Sequence, residues 1–152
     1  MSFDLRKGTP LILAAAAALL AGSGQAASSG RFRPDGTVVY DANTGLSWEQ
    51  YPQTTATTLS AANAYCVALG ASFRLPTMKE LQTVVDRSRY TPAVDTSVFE
   101  TVQPTTYWTS TSLADDGTTQ WLVEFGAGVS TFGPATGSHL TWCVRSPAQA
   151  AR

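Results

Sequence analysis

The sequence predicts an α+β domain in which two helices pack on short antiparallel sheets joined by long irregular loops. Three observations carry that expectation. The two helical patterns, Leu59–Gly70 and the run after Thr77, stand side by side between stretches of β-type residues. Elements segregated in this way argue against alternating βαβ units. The nine residues Phe73–Leu81 combine an extended segment, a proline stop and a helix start: Pro76 disfavours the α region at Leu75, and Thr77 and Glu80 have capping-box spacing. Charged residues are only 14% of the chain, and Thr, Ser and Gly are abundant, which suits strands and ordered loops better than long helices.

The first part of the chain reads as an address. Arg6 and Lys7 precede an apolar run, Leu11–Leu20, and Gly24-Gln25-Ala26 places small residues where a signal peptidase reads them. Residues 1–26 are therefore read as a signal peptide. Its apolar run is short for a bilayer span, so no stable membrane insertion is expected after cleavage. Residues 27–33 follow as a flexible lead, 34–146 as the domain, and 147–152 as a disordered tail. The expected destination is secreted, periplasmic or cell-surface. A net charge of −1 lacks the basic footprint of a nucleic-acid binder, so nucleic acid is not an expected partner. The chain has two cysteines, Cys66 and Cys143, and in an exported protein an even count is most simply a disulfide. A catalytic thiol needs a base, and His139 is the one histidine; two Cys and one His at this separation match no metal-ligand spacing.

In chain order, Pro34-Asp35-Gly36 reads as a turn leading into a strand at Thr37–Asp41. Asp41–Gly45 reads as a second turn, and Leu46-Ser47-Trp48 as a further short strand. Leu59, Ala62, Cys66 and Leu69 share one helical face, and Gly70 ends that helix. The second helix runs from the capping box to just before Tyr90 and turns Leu81, Val84 and Val85 inward. Pro76 and Leu81 are placed for a hydrophobic staple. Val94, Val98, Phe99 and Val102 fall among turn residues, as in an irregular loop. Strands follow at Tyr107–Ser112, Gln120–Phe125, Val129–Phe132 and Leu140–Arg145, with a turn at Asp115-Asp116-Gly117.

Six segments in order resemble the Lcl C-terminal domain family (DUF1566). They are Gly45-Leu46-Ser47-Trp48; Ala61–Leu69 with Tyr65-Cys66; Phe73-Arg74-Leu75-Pro76-Thr77 with Glu80-Leu81; Tyr107–Thr111; Val123-Glu124-Phe125 with Gly128; and Cys143-Val144-Arg145. Phe73 stands where the family usually has Trp after Asp, the turn before it is shortened to Gly70-Ala71-Ser72, and Trp142 replaces a basic residue. The resemblance implies a C-type-lectin-like fold with Cys66 bonded to Cys143 and a long irregular loop region. It also implies a place in adhesins and surface proteins, some of which bind glycosaminoglycans, and a fold shared with formylglycine-generating, sulfatase-modifying enzymes. Arg74, Pro76, Thr77 and Glu80 belong to its most diagnostic segment and read as architecture.

Four chemistries are open to the remaining residues. Calcium-dependent sugar binding would need a loop of carboxylates and amides; Gln103-Pro104-Thr105 offers one ligand, and Asp115 and Asp116 could hold a hard cation, although Asp-Asp-Gly is ordinarily a plain turn. Catalysis has poor material, since nothing places a base beside Ser110 or His139, and Asp95, Glu100 and Glu124 have no spacing diagnostic of a glycosidase pair. Arg87 and Arg89, with Arg31 and Arg33, could meet sulfate or carboxylate groups; the plainer reading is positive charge at a helix C-terminus. Trp48, Trp108, Trp121 and Trp142 could stack on sugars, but all lie on expected strands and read as core, with Trp108 and Trp142 the best candidates for exposure. The expectation is a non-catalytic, exported binding module without a cofactor. It would recognise a glycan or a surface protein through the loops between Asp86 and Ser138. A formylglycine-generating type of enzyme and a purely structural envelope component are the alternatives.

Overall fold

The computed structural model describes residues 30–70 and 72–147; the expected signal peptide and most of the expected tail lie outside them. Strands β1 (Phe32–Asp35), β2 (Val38–Asp41) and β3 (Ser47–Glu49) lead into helices α1 (Leu59–Ala68) and α2 (Met78–Thr83). Strands β4 (Thr106–Leu113), β5 (Asp116–Glu124), β6 (Val129–Pro134) and β7 (Val144–Arg145) follow. Two antiparallel sheets result, ordered β1-β2-β3-β7 and β4-β5-β6. The architecture is α+β, as the segregation of elements requires.

The first hairpin begins earlier than the sequence suggests. Phe32 pairs with Asp41 and Asp35 with Val38, so the turn falls at Gly36-Thr37, with Gly36 at φ 63°. Phe32 is buried with its ring edge-on to Phe99 at 5.1 Å, and Arg31 clamps Asp41 through two 2.9 Å bonds. The end of the expected lead is thus part of the packed domain.

Thr58 caps α1, whose buried face is limited to Ala62 and Cys66. Leu69, expected on that face, is instead the C-cap residue and is exposed, because the helix ends before its stripe completes another turn. The Thr77–Glu80 capping box forms in both directions: Glu80 N donates to Thr77 Oγ1 at 3.2 Å, and Thr77 N donates to Glu80 Oε2 at 2.7 Å. Arg74 adds a two-pronged bond to the same carboxylate, at 2.7 and 2.9 Å. α2 stops at Thr83, well short of Tyr90. Its last carbonyl is taken by Arg31 at 2.6 Å, while the Thr83 hydroxyl donates back to the Glu80 carbonyl at 2.7 Å.

The stretch from Val84 to Thr105 has no regular element, yet it is core. Ala93, Val94, Val98, Phe99 and Val102 are all buried. Long-range main-chain bonds hold it: Thr91 N to Gly126 O (2.8 Å), Ala93 N to Phe125 O (2.6 Å) and Phe125 N to Thr105 O (3.0 Å). The last segment is likewise less regular than expected. Only Val144–Arg145 is strand, because His139 pairs with Thr57, Leu140 with the start of β4, and Val144 with both Trp48 and Arg74. This chain end stitches the two sheets together rather than extending either.

Trp142 is the hub of the main core. Its ring lies 4.9 Å from Phe99, 5.5 Å from Trp48 and 5.5 Å from Phe125, centroid to centroid, and its Nε1 donates to the Glu49 carbonyl at 2.8 Å. A second cluster gathers Ala62, Cys66, Phe73, Leu75, Trp108, Leu122 and Cys143. At its centre the Cys66–Cys143 disulfide (S–S 2.03 Å) joins α1 to the chain end across 77 positions.

Candidate functional site: a carboxylate in an apolar cleft

The residues singled out by sequence are not brought together. Trp108 is fully buried in the second cluster, its Nε1 donating to the Thr57 carbonyl at 2.7 Å, so it cannot present a sugar-stacking face. Trp142 is buried as well. Only Trp121 is partly exposed, edge-on to its cross-strand partner Phe132 at 6.0 Å. Asp116 spends both oxygens on its neighbours at the start of β5, accepting from Thr118 Oγ1 (2.6 Å), Thr118 N (2.9 Å) and Thr119 Oγ1 (2.6 Å). The Thr118 hydroxyl is the leading cause of its lowered pKa. Asp115 sits at φ 61° at the tip of the β4–β5 turn. The turn thus falls at Ala114-Asp115, earlier than the expected Asp115-Asp116-Gly117, because Asp116 already pairs with Leu113 and opens β5.

Arg89 is ion-paired to Asp86 at 3.0 Å and to Asp95 at 3.5 Å, and Arg87 donates to Gln82 Oε1 at 3.1 Å. A cavity of ≈ 360 Å³ beside them is lined by Arg31 and Arg87 but equally by Asp86 and Asp95. Its charges balance, which is poor material for a polyanion. Ser110 donates to the Pro76 carbonyl at 3.2 Å, whereas His139 Nδ1 lies 2.6 Å from Thr106 Oγ1 and its ring meets Trp108 edge-on. Burial holds the His139 imidazole below its usual pKa, in the neutral form at pH 7. The Glu124 carboxylate closes the β5–β6 turn by accepting from Gly126 N and Ala127 N.

A different group of residues forms the most apolar of these hollows. Strand alternation places Trp48 in the main core, so its neighbour Glu49 turns to the opposite side of β3. There α1 covers it: Tyr65 Oη donates to Glu49 Oε1, and Cys143 N donates to Oε2 at 3.3 Å. Glu49 is only 8% exposed. Burial pushes its carboxyl above the ordinary range, opposed by the Tyr65 and Cys143 bonds; burial and the adjacent carboxylate in turn raise the Tyr65 phenol. None of the ion pairs among the described residues includes Glu49.

Glu49 lines a half-open cleft of ≈ 290 Å³ with Thr37, Val38, Tyr51, Leu69 and Phe73. That volume falls just short of the range of small-ligand sites, about 300–1,000 Å³. Tyr51 and Leu69 are 46% and 40% exposed and form its reachable rim. Phe73 is positioned by the bridge between Arg74 and Val144, and the Arg145 guanidinium stands 5.2 Å from its ring centroid. Leu69 reaches the cleft because α1 ends where it does. Neither Glu49 nor Tyr51 carries a sequence signal, because no motif or local spacing marks a lone carboxylate after a short strand as buried. The residue that buries it, Tyr65, is far away in sequence.

The chain is therefore a small α+β domain, tied by one disulfide and carrying a single-carboxylate cleft beside it. The Lcl C-terminal domain matches residues 37–145, and the chain belongs to that family. No curated protein sequence matches it. Among the described residues no helix is long and apolar enough to cross a membrane.

Proposed function

We propose that this domain is the non-catalytic binding module of an exported protein, with a lectin-like arrangement, and that it recognises a glycan through the Glu49 cleft in adhesion or envelope interaction. The observation that carries the reading is the pairing of a recessed carboxylate with apolar and aromatic walls. Sugars offer the same two faces: hydroxyl donors, which an acceptor-only carboxylate takes, and apolar C–H faces, which Tyr51 and Leu69 can cover. Tyr also supplies a wide contact surface with a polar tip. Both cysteines are committed to the disulfide, which leaves no thiol for chemistry of the formylglycine-generating type. The balance of Arg31 and Arg87 against Asp86 and Asp95 favours the cleft over a polyanion surface.

The test is a glycan array probed with residues 27–152, with and without calcium and at two salt concentrations. Hits that persist at high salt and without calcium, and that disappear in Tyr51→Ala, are expected. Binding abolished by salt would point to exposed charge instead, and an empty array would turn the search to a surface-protein partner.

A further inference from the structure

We infer that the sugar taken by this cleft carries a free primary amine, as glucosamine does, and that its ammonium pairs with Glu49. The inference rests on the glycan reading above and narrows it to a cationic ligand. Glu49 is the one charged residue among those lining the cleft. It is nearly buried, it takes part in none of the ion pairs among the described residues, and its two known donors, Tyr65 Oη and Cys143 N, are both neutral. Each carboxylate oxygen accepts more than one bond, so acceptor capacity remains for a ligand.

Buried carboxylates are ordinarily paired with a cation, because desolvation is costly and neutral donors offset only part of it. Here the side chains leave that position to whatever enters. The walls suit such a guest. Aromatic faces attract ammonium groups, and Phe73 already carries the Arg145 guanidinium at 5.2 Å, outside the cleft lining. An anionic sugar would meet the like charge of Glu49, the one charged residue that lines the cleft. A neutral or N-acetylated sugar could donate to Glu49 but would leave its charge unpaired. The geometry selects for the amine.

The experiment compares three tetrasaccharides of the same β-1,4 linkage by titration calorimetry near neutral pH: glucosamine, N-acetylglucosamine and glucose. The glucosamine form is expected to bind at least about tenfold more tightly than either of the others. Glu49→Gln should erase that preference while Tyr51→Ala weakens binding to all three. Equal affinities, or a preference for the N-acetylated form, would overturn the amine inference and leave the glycan reading standing. If none of the three binds, the inference fails, and the array decides the broader reading separately. The comparison of ligands on the unmodified protein needs no variant to fold, and circular dichroism of Glu49→Gln establishes whether its loss is one of recognition.

Discussion

The junction Phe73–Leu81 and the irregular segment Val84–Thr105 make an instructive pair. Both feed the core, and both lack long regular structure. The junction is held by neighbours in sequence: Thr77 and Glu80 cap each other, and Arg74 grips the same carboxylate. The irregular segment is held by distant partners. Phe125 and Gly126 take its amides, and its Phe99 ring meets Phe32 and Trp142 edge-on. Local hydrogen bonds announce themselves in a sequence because their spacing is fixed. Long-range packing does not, and the energetics favour it: burying a large aromatic side chain contributes more than a helix cap.

The largest expected effect follows directly. Phe99 is fully buried between two aromatic rings, so Phe99→Ala should cost about 3–5 kcal/mol from lost transfer energy and the cavity left behind. Denaturant unfolding of the domain checks it. A loss under about 1 kcal/mol would mean that the segment can collapse or detach, and the contrast with the junction would fail.

Next comes the disulfide, which ties the second cluster as Phe99 ties the first. Replacing both Cys66 and Cys143 by Ala should cost about 2–5 kcal/mol, since the bridge closes a long loop in the unfolded chain. The same variant sharpens the comparison, because Phe73 and Leu75 of the junction pack around the bridge. If the Glu49 cleft depends on this cluster, ligand affinity should weaken alongside stability.

The cap itself is worth less. Thr77→Ala removes the acceptor for Glu80 N and should cost about 1 kcal/mol. Should it rival Phe99→Ala, the junction would be the nucleus of the core rather than its punctuation.

These contrasts explain what was legible in the sequence. The α+β class followed from the order of β-type and helical patterns, and the capping box from two residues at fixed spacing. The cysteine pairing followed from an even count in a chain read as exported. The early start of β1 at Phe32 was not legible, because Arg31 and Phe32 owe their places to Asp41, Thr83 and Phe99. Nor was the shortness of the final strand, because the segment before it spends its main-chain bonds elsewhere: His139 on Thr57, Leu140 on Thr106 and Cys143 on Glu49. The candidate site shows the same limit. Glu49 was not singled out, because the helix covering it arrives later in the chain; the tryptophans read as core, and Trp48, Trp108 and Trp142 are fully buried, including the two expected to be the most exposed.

The smallest effect separates the junction from the cleft by sign. In the folded junction the Arg74 bond holds the Glu80 carboxyl below its ordinary pKa, against burial and with help from Thr77. A lowered folded pKa contributes stability that is present above the unfolded value, about 4.3, and lost as pH falls through the folded one. Glu49 runs the other way. Burial raises its folded pKa, so its contribution is present below the unfolded value and lost as pH rises through the folded one. Unfolding free energies measured between about pH 3 and 7 should therefore fall less steeply toward acid in Glu80→Gln and more steeply in Glu49→Gln. The Glu80 change should be only a few tenths of a kcal/mol, because Arg74 and Glu80 are 41% and 23% exposed and water screens the pair. Equal slopes in both variants would place the two carboxylates in the same kind of environment, and the cleft would lose the buried charge that a cationic ligand is expected to meet.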